Sequence, residues 1–303
     1  MRKKIKSVLI KLLNEIVLLK NKSRYLLKFT HKRYIKKVFY ATHGYNINFE
    51  NPTTFSEKIQ WIKLYGPDCS EYVDKNEVRD FVEKKVGGTY LIPKIGVYES
   101  ANDINIDLLP DKFVIKATHG CGWNLIVHDK SKLNWNKERK KVKSWINTNY
   151  FYISGEKNYK NIKGRVIIEQ LLEDPTGNMK EYKFFCYHGQ PLYVLVITPS
   201  GPDTMLREFY DINWNQIHMS VYNESPNTKI KTDKPQHFEE MLEICRKLSD
   251  KFSHVRVDLY YCQGKIYFGE LTFTSSNGFA RFSEFKYDKL AGEPLVLPGV
   301  KGI

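Results

Sequence analysis

Over residues 254–259 the apolar side chains Val255, Val257 and Leu259 alternate with polar neighbours, a period of two that predicts a half-buried strand. Gln263 and Gly264 follow as a turn, and Ile266, Phe268 and Leu271 mark the returning strand of a hairpin. Residues 113–128 predict a second hairpin: an apolar strand ending in Lys116, a glycine-containing turn, then another strand. Residues 165–173 read as an apolar strand opening into a polar loop, and residues 181–196 as a hairpin that reverses at His188-Gly189. Helical spacing fills the intervals, at 54–64, at 74–86 with Asp74 as N-cap and Gly87-Gly88 as the stop, at 135–149 and at 236–253. Residues 89–112 are expected to form a strand and linker, and 212–235 a polar stretch that is either a substrate loop or a disordered connection. Helices alternating with antiparallel hairpins predict an α+β fold.

The first forty residues follow a different pattern. Ile5, Val8, Leu9, Leu12, Leu13, Ile16 and Leu19 recur at helical spacing, and residues 1–40 carry thirteen Lys or Arg against one acid, Glu15. The whole chain has a net charge of +14, so the remainder is nearly neutral. Lys11, Asn14 and Glu15 break the apolar run too early for a membrane span or a signal-peptide core. Such an arm either packs on its own domain or adsorbs to an anionic membrane surface; nucleic acid is the weaker expectation, because no recognition signature accompanies the charge. The 303 residues, 42% of them hydrophobic, suffice for a substantial core. Cys69, Cys121, Cys186, Cys245 and Cys262 form no C-x-x-C pair, and reduced thiols in a cytoplasmic protein fit that odd count.

Chemistry concentrates in the two main hairpins. Asp258 and Glu270 stand on adjacent strands, where they are either two solvated charges or partners around one or two metal ions. Arg256, two residues before Asp258, projects to the same sheet face. Gly120 and Gly122 allow a close backbone approach, and Lys116 offers a compact charge to a phosphate oxygen, although the order of lysine and glycines is not that of a Walker loop. Cys121 lies in the glycine turn with only His119 near it in sequence, which is weak support for a nucleophile.

The order strand-Lys, glycine loop, strand-Glu, hairpin, Arg-x-Asp and Glu-x-Thr resembles the ATP-grasp superfamily. Asn51-Pro-Thr-Thr-Phe-Ser-Glu-Lys-Ile-Gln-Trp-Ile-Lys-Leu-Tyr, Asp74-Lys-Asn-Glu-Val-Arg, Leu109-Pro-Asp-Lys-Phe-Val-Ile-Lys, Trp123, Tyr182-Lys-Phe-Phe-Cys and Tyr267-Phe-Gly-Glu-Leu-Thr-Phe resemble, more narrowly, the TupA-like branch associated with teichuronopeptide biosynthesis. The resemblance implies ATP held between two α+β subdomains with antiparallel sheets. It divides the chain into a basic arm (1–45), an N-terminal subdomain (46–112), a nucleotide-binding subdomain (113–175) and a catalytic subdomain (176–303). By the same resemblance, Lys75 and Lys116 hold ATP phosphates under a loop formed by His119, Gly120, Cys121, Gly122 and Trp123. Glu169, Gln170 and Leu172 match the adenine-binding hinge, Glu181 the position near the ribose, and Asp258 and Glu270 the magnesium carboxylates. Thr272 stands where many ATP-grasp enzymes have Asn, and its hydroxyl is expected either to coordinate Mg2+ or to act through a water. Lys183 is expected at a phosphate or an acidic substrate, and Arg256 beside the transferred phosphoryl group. The implied activity is carboxylate–amine ligation in surface-polysaccharide biosynthesis, joining an amino acid or amino sugar to a sugar carboxylate on a free or lipid-linked glycan. A kinase, a glycosyltransferase and a non-catalytic ATP-binding scaffold are the competing readings; no D-x-D supports the glycosyltransferase.

Overall fold

Eight helices and ten strands follow one another through the described residues. In chain order they are α1 (Leu26–His43), α2 (Phe55–Tyr65), α3 (Ser70–Val73), α4 (Val78–Val86), β1 (Lys94–Tyr98), β2 (Phe113–Ala117), β3 (Asn124–Val127), α5 (Trp135–Ile146), α6 (Phe151–Ser154), β4 (Val166–Gln170), β5 (Lys180–Tyr187), β6 (Gln190–Gly201), β7 (Thr204–Asp211), β8 (Gln216–Ile217), α7 (Phe238–Ser249), β9 (His254–Cys262), β10 (Lys265–Thr272) and α8 (Phe285–Gly292). The structure, a computed structural model, describes residues 26–175, 177, 179–201, 204–221 and 231–299. The apolar helical run at 5–19 lies outside them.

The strands form two sheets, a small one in the order β1-β4-β2-β3 and a large one in the order β10-β9-β5-β6-β7-β8. All the strand pairs are antiparallel, as hairpin-rich sequence requires. One face of the large sheet supplies Phe184, Val194, Val255, Val257, Leu259 and Leu271 to a core closed by Phe238, Met241, Leu242, Cys245 and Leu248 of α7. Each such side chain contributes about 1.5–3 kcal/mol by leaving water. Alternation then forces Lys183, Arg256 and Asp258 onto the opposite face. In the small sheet Phe113, Ile115, Ala117, Val166 and Ile168 pack with Val142 and Trp145 of α5, so Lys116 and Glu169 project from the other side.

Local chemistry sets the helix ends. Thr54 and Glu57 make a reciprocal capping box that starts α2. The helix expected from residue 74 begins at Val78, because Asp74 Oδ1 instead accepts from the N–H groups of Asn76 (2.8 Å) and Glu77 (3.1 Å) in a preceding turn. The helix expected to reach 149 stops at Ile146, where the Asn147 side chain donates to Lys143 O. Part of the basic arm is helix α1, and Ile35, Val38 and Phe39 on it are buried, Ile35 and Phe39 in one cluster with Ile47 and Phe49. Ile35 and Phe39 complete that cluster, so this part of the arm, residues 35–39, packs on the domain.

Candidate active site

The centre of the site is a cross-strand row. Glu270 pairs with Asp258, Asp258 with Lys183, and Thr272 with Arg256, so these five side chains share the polar face of the large sheet. The register shifts between Phe268 and Glu270, where Gly269 is the extra residue. Without this bulge Glu270 would face Val257 and turn into the core. Glycine suits the position because a Cβ there would lie 3.0 Å from both Asp258 O and the Tyr260 ring.

Asp258 has no exposed surface, and its carboxylate is gripped from two directions. Arg256 donates through Nε to Oδ1 at 2.6 Å and through Nη2 to Oδ2 at 2.7 Å, and Lys183 Nζ reaches Oδ2 at 2.7 Å. Lys183 also pairs with Glu181 at 2.7 Å. Arg256 Nη2 donates to Thr272 Oγ1 at 3.1 Å, and that hydroxyl donates to Glu270 Oε1 at 3.1 Å. Glu270 further lies 3.6 Å from Arg256 and 3.7 Å from Lys75. Burial alone would raise the Glu270 carboxyl, but Lys75, Lys183 and Arg256 outweigh it and hold it down at about 2. Burial also works against the Arg256 charge, yet Asp258 raises its pKa above the ordinary guanidinium value. Glu181, where burial dominates over Lys183, is raised.

The small sheet faces this row with its own charges. Glu169 is buried and bridges Arg79 Nη1 and Lys116 Nζ, each at 2.8 Å. Lys75 Nζ donates to Gly120 O at 2.8 Å, and its proximity to Glu270 links the glycine loop to the large sheet. The loop is closed by Ala117 N donating to Trp123 O at 3.0 Å. A Cβ on Gly120 would lie 2.8 Å from the Trp123 ring, and Gly122 has φ +73°, so each glycine answers a separate steric demand. His119 is buried, with Nε2 donating toward the carbonyls of Trp145 (3.0 Å) and Thr148 (3.2 Å) and Nδ1 accepting from Arg165 N at 3.4 Å. Its ring therefore anchors the loop from beneath, with both ring nitrogens committed to backbone partners. Cys121 reaches solvent, and desolvation followed by the Glu270 charge raises its thiol pKa. Gln170 is exposed and Leu172 half-buried at the end of β4, beside Pro93, whose carbonyl accepts from Gln170 N at 3.0 Å.

Several residues of this neighbourhood carried no local signal. Thr118 Oγ1 and Arg165 Nη2 both donate to Asp74 Oδ2, at 3.0 and 3.1 Å, tying α4's leading turn to the glycine loop. Tyr260 is half-buried among the charges of Glu181, Glu270, Asp258 and Glu169, and Tyr150 packs edge-on against Trp123. Beyond β10, Ser276 and Asn277 adopt φ +50° and +57°, and Asn277 is held by Gln60 Nε2 donating to its carbonyl at 3.0 Å and by Lys63 Nζ donating to its Oδ1. Thr274 Oγ1 donates to the buried Glu156.

Among the described residues no group of three or more His, Cys, Asp and Glu converges as a metal cage. Two carboxylates in register are nevertheless what Mg2+ needs when phosphate oxygens and water complete its shell. Glu270 is partly open, Asp258 stands opposite it, and Lys75, Lys183 and Arg256 are ion-paired with these two carboxylates, so phosphate oxygens arriving with the ion would meet cations at the same place. The donor set fits that ion together with its nucleotide.

Two antiparallel sheets facing each other across lysines, a glycine loop and a carboxylate pair define an ATP-grasp protein of the α+β class. The TupA-like ATP-grasp family model matches residues 57–296, and the chain belongs to that family. No curated protein matches the chain. Among solved structures it is similar to D-alanine–D-alanine ligase from Helicobacter pylori, with 16% identity, 81% of this chain and 67% of that chain covered, and a TM-score of 0.44. It is also similar to the Bacillus anthracis D-alanine–D-alanine ligase complexed with ATP (15% identity, 71% and 57% covered, TM-score 0.42). A third is the ATP-grasp ligase PsnB complexed with a minimal precursor (10% identity, 67% and 52% covered, TM-score 0.39). The chain thus spans about half to two thirds of the length of these proteins.

Proposed function

We propose that this protein is an ATP- and Mg2+-dependent carboxylate–amine ligase that joins an amino acid or amino sugar to a sugar carboxylate during bacterial surface-polysaccharide assembly. The observation that carries the reading is the Lys183–Asp258–Arg256–Glu270 row, which sets fixed positive charge against two carboxylates on one sheet face. In this reading Lys75 and Lys116 bind phosphate oxygens, the loop from His119 to Trp123 covers them, and the backbone near Glu169, Gln170 and Leu172 receives adenine. Glu181 binds ribose, and Lys183 reaches the γ-phosphate or the acidic substrate. Asp258 and Glu270, with Thr272 beside them, would hold Mg2+, which supplies charge neutralisation at the phosphates when bound.

The reaction then proceeds in two displacements. A carboxylate oxygen of the acceptor attacks the γ-phosphorus, the bond to ADP breaks, and an acyl phosphate forms. The amine attacks the acyl carbon, the carbon–oxygen bond to phosphate breaks, inorganic phosphate leaves, and the amine nitrogen loses a proton. Arg256 stabilises charge in both steps, first on the transferring phosphoryl group and then on the tetrahedral oxyanion. The site would work on the cytoplasmic side of the membrane, where ATP is present and lipid-linked glycans are built.

Incubation with Mg2+-ATP, uronic-acid glycans and an amino-acid panel, with products read by mass, tests this. Release of ADP and inorganic phosphate together with an amide-linked product is expected. Phosphate retained on the acceptor would make the protein an ATP-grasp kinase, and glycosyl transfer without ATP consumption would make it a glycosyltransferase.

A further inference from the structure

Helix α5 carries a charge pattern that its own packing does not explain. Trp135, Glu138, Val142, Trp145 and Ile146 turn inward, and Lys137, Arg139, Lys140, Lys141 and Lys143 are all exposed. Residues 130–143 together hold seven Lys or Arg and one acid, Glu138. Lys137–Lys141 and Arg139–Lys143 are like-charge pairs at i,i+4, and Lys137 stands in the first turn, where the helix dipole disfavours a cation. Only Lys141 approaches the acid, at 3.8 Å; among the described residues Lys137, Arg139, Lys140 and Lys143 make no ion pair. The helix therefore sustains repulsion that an anionic partner would relieve.

The location separates this face from the nucleotide site. Val142 and Trp145 pack on the side of the small sheet that carries Phe113 and Ile115, and Lys116 and Glu169 project from the other side. Next to the start of α5, the turn Ile106–Leu108 presents Leu108 with 81% of its surface exposed. Lys130, which leads into α5, donates to the carbonyls flanking that leucine, Asp107 O at 3.2 Å and Leu109 O at 2.5 Å. A bulky apolar side chain at the rim of a cationic helical face matches a lipid headgroup boundary, where insertion and Coulomb attraction add; a soluble polyanion would use the cations alone.

We infer that the outer face of α5, with Leu108 at its edge, is a docking surface for an anionic lipid bilayer. The inference does not depend on the reaction catalysed. The test uses the full chain and its Arg139→Gln/Lys140→Gln/Lys143→Gln variant, sedimented with phosphatidylglycerol–phosphatidylcholine vesicles at low salt, with Leu108→Ser alongside and soluble polygalacturonate as competitor. Each cation near an anionic surface is worth about fivefold in partitioning, so the triple variant should bind roughly 100-fold more weakly, with an unchanged or slightly higher Tm. Leu108→Ser should weaken vesicle binding and leave polygalacturonate binding unchanged. Equal vesicle binding by the triple variant, or no vesicle binding by the unaltered chain, overturns the inference. Loss of polygalacturonate binding in the triple variant with no effect of Leu108→Ser on vesicles reassigns the face to an acidic glycan and overturns it too.

Discussion

Glu270 faces Asp258 across β9 and β10 because one residue, Gly269, is inserted between it and Phe268. The bulge turns an alternation that would have buried Glu270 into one that places two carboxylates side by side. A side chain at Gly269 meets backbone at 3.0 Å, so Gly269→Val forces β10 away from Asp258. The expected stability loss is about 1–3 kcal/mol, as for other overpacked positions. Mg2+-dependent ATP binding, measured by calorimetry, should fall at least about tenfold, because separated carboxylates no longer share one ion. Unchanged Mg2+-ATP affinity in a folded variant would show that register does not matter to the site.

The two carboxylates should also respond differently to removal. Asp258 is wholly buried between Arg256 and Lys183, so Asp258→Asn leaves two buried cations short of their counter-charge. Breaking such a pair costs about 3–5 kcal/mol. Glu270 is the more open partner, so Glu270→Gln should abolish turnover with a smaller loss of stability than Asp258→Asn. ADP binding without Mg2+ should survive in Glu270→Gln. Wild-type turnover in both variants would rule out a metal-binding role for the pair.

Lys116 shares Glu169 with Arg79, so its loss leaves that carboxylate paired. Lys116→Ala should therefore raise the ATP dissociation constant about 10- to 100-fold, the value of one charge-assisted contact, with little change in Tm. Arg79→Ala should do the reverse, because Arg79 also donates to Ile92 O at 2.9 Å. If Lys116→Ala unfolds the protein and spares ATP affinity, the lysine is structural.

Hairpins and amphipathic helices were readable because a period of two, or three to four, survives in one local window. Val255, Val257 and Leu259 announce β9, and Phe238, Met241, Leu242, Cys245 and Leu248 announce α7. The bulge at Gly269 was written in the same window, since Phe268 and Leu271 are both buried although three residues apart. What no window contains is contact across the chain. Arg165 meets Asp74 and Glu77 over roughly ninety residues, and Glu156 meets Thr274 over more than a hundred. His119 lies beside Gly120 and Gly122 in sequence, yet its ring is committed to the carbonyls of Trp145 and Thr148 at and just beyond the end of α5. Sequence adjacency placed it in the loop; only packing shows which way it turns.

Acid should weaken the fold through Glu270. Burial would raise its carboxyl, but the three cations around it hold it at about 2, below the ordinary 4.5. A carboxyl depressed on folding contributes stability that is complete above its unfolded pKa and is lost as pH falls through the folded value. Denaturant unfolding of the unaltered chain should thus lose stability relative to Glu270→Gln between about pH 4.5 and 2. A difference that stays flat over that interval would mean the cations do not act on Glu270.

Alkali should act in the opposite sense through Lys63. This lysine on α2 is 2% exposed, donates to Asn277 Oδ1, and lies 5.1 Å from the Phe279 ring centroid. Burial lowers its pKa from 10.5 to about 8, and the nearby Glu156 charge only partly opposes that. Below pH 8 both folded and unfolded chains hold the proton, and the folded state bears the whole cost of burying the charge. Between about 8 and 10.5 the folded chain has released the proton and the unfolded chain has not, so stability rises with pH. The gain approaches about 1.4 kcal/mol per pH unit. Lys63→Met keeps the length of the side chain and removes the titration; the acceptor left unserved on Asn277 changes the offset, not the slope. Tyrosines ionise in both proteins and cancel in the difference. Urea unfolding at pH 7, 8, 9 and 10 should show the unaltered chain gaining stability over Lys63→Met above pH 8, and parallel curves would mean that Lys63 keeps its ordinary pKa inside the fold.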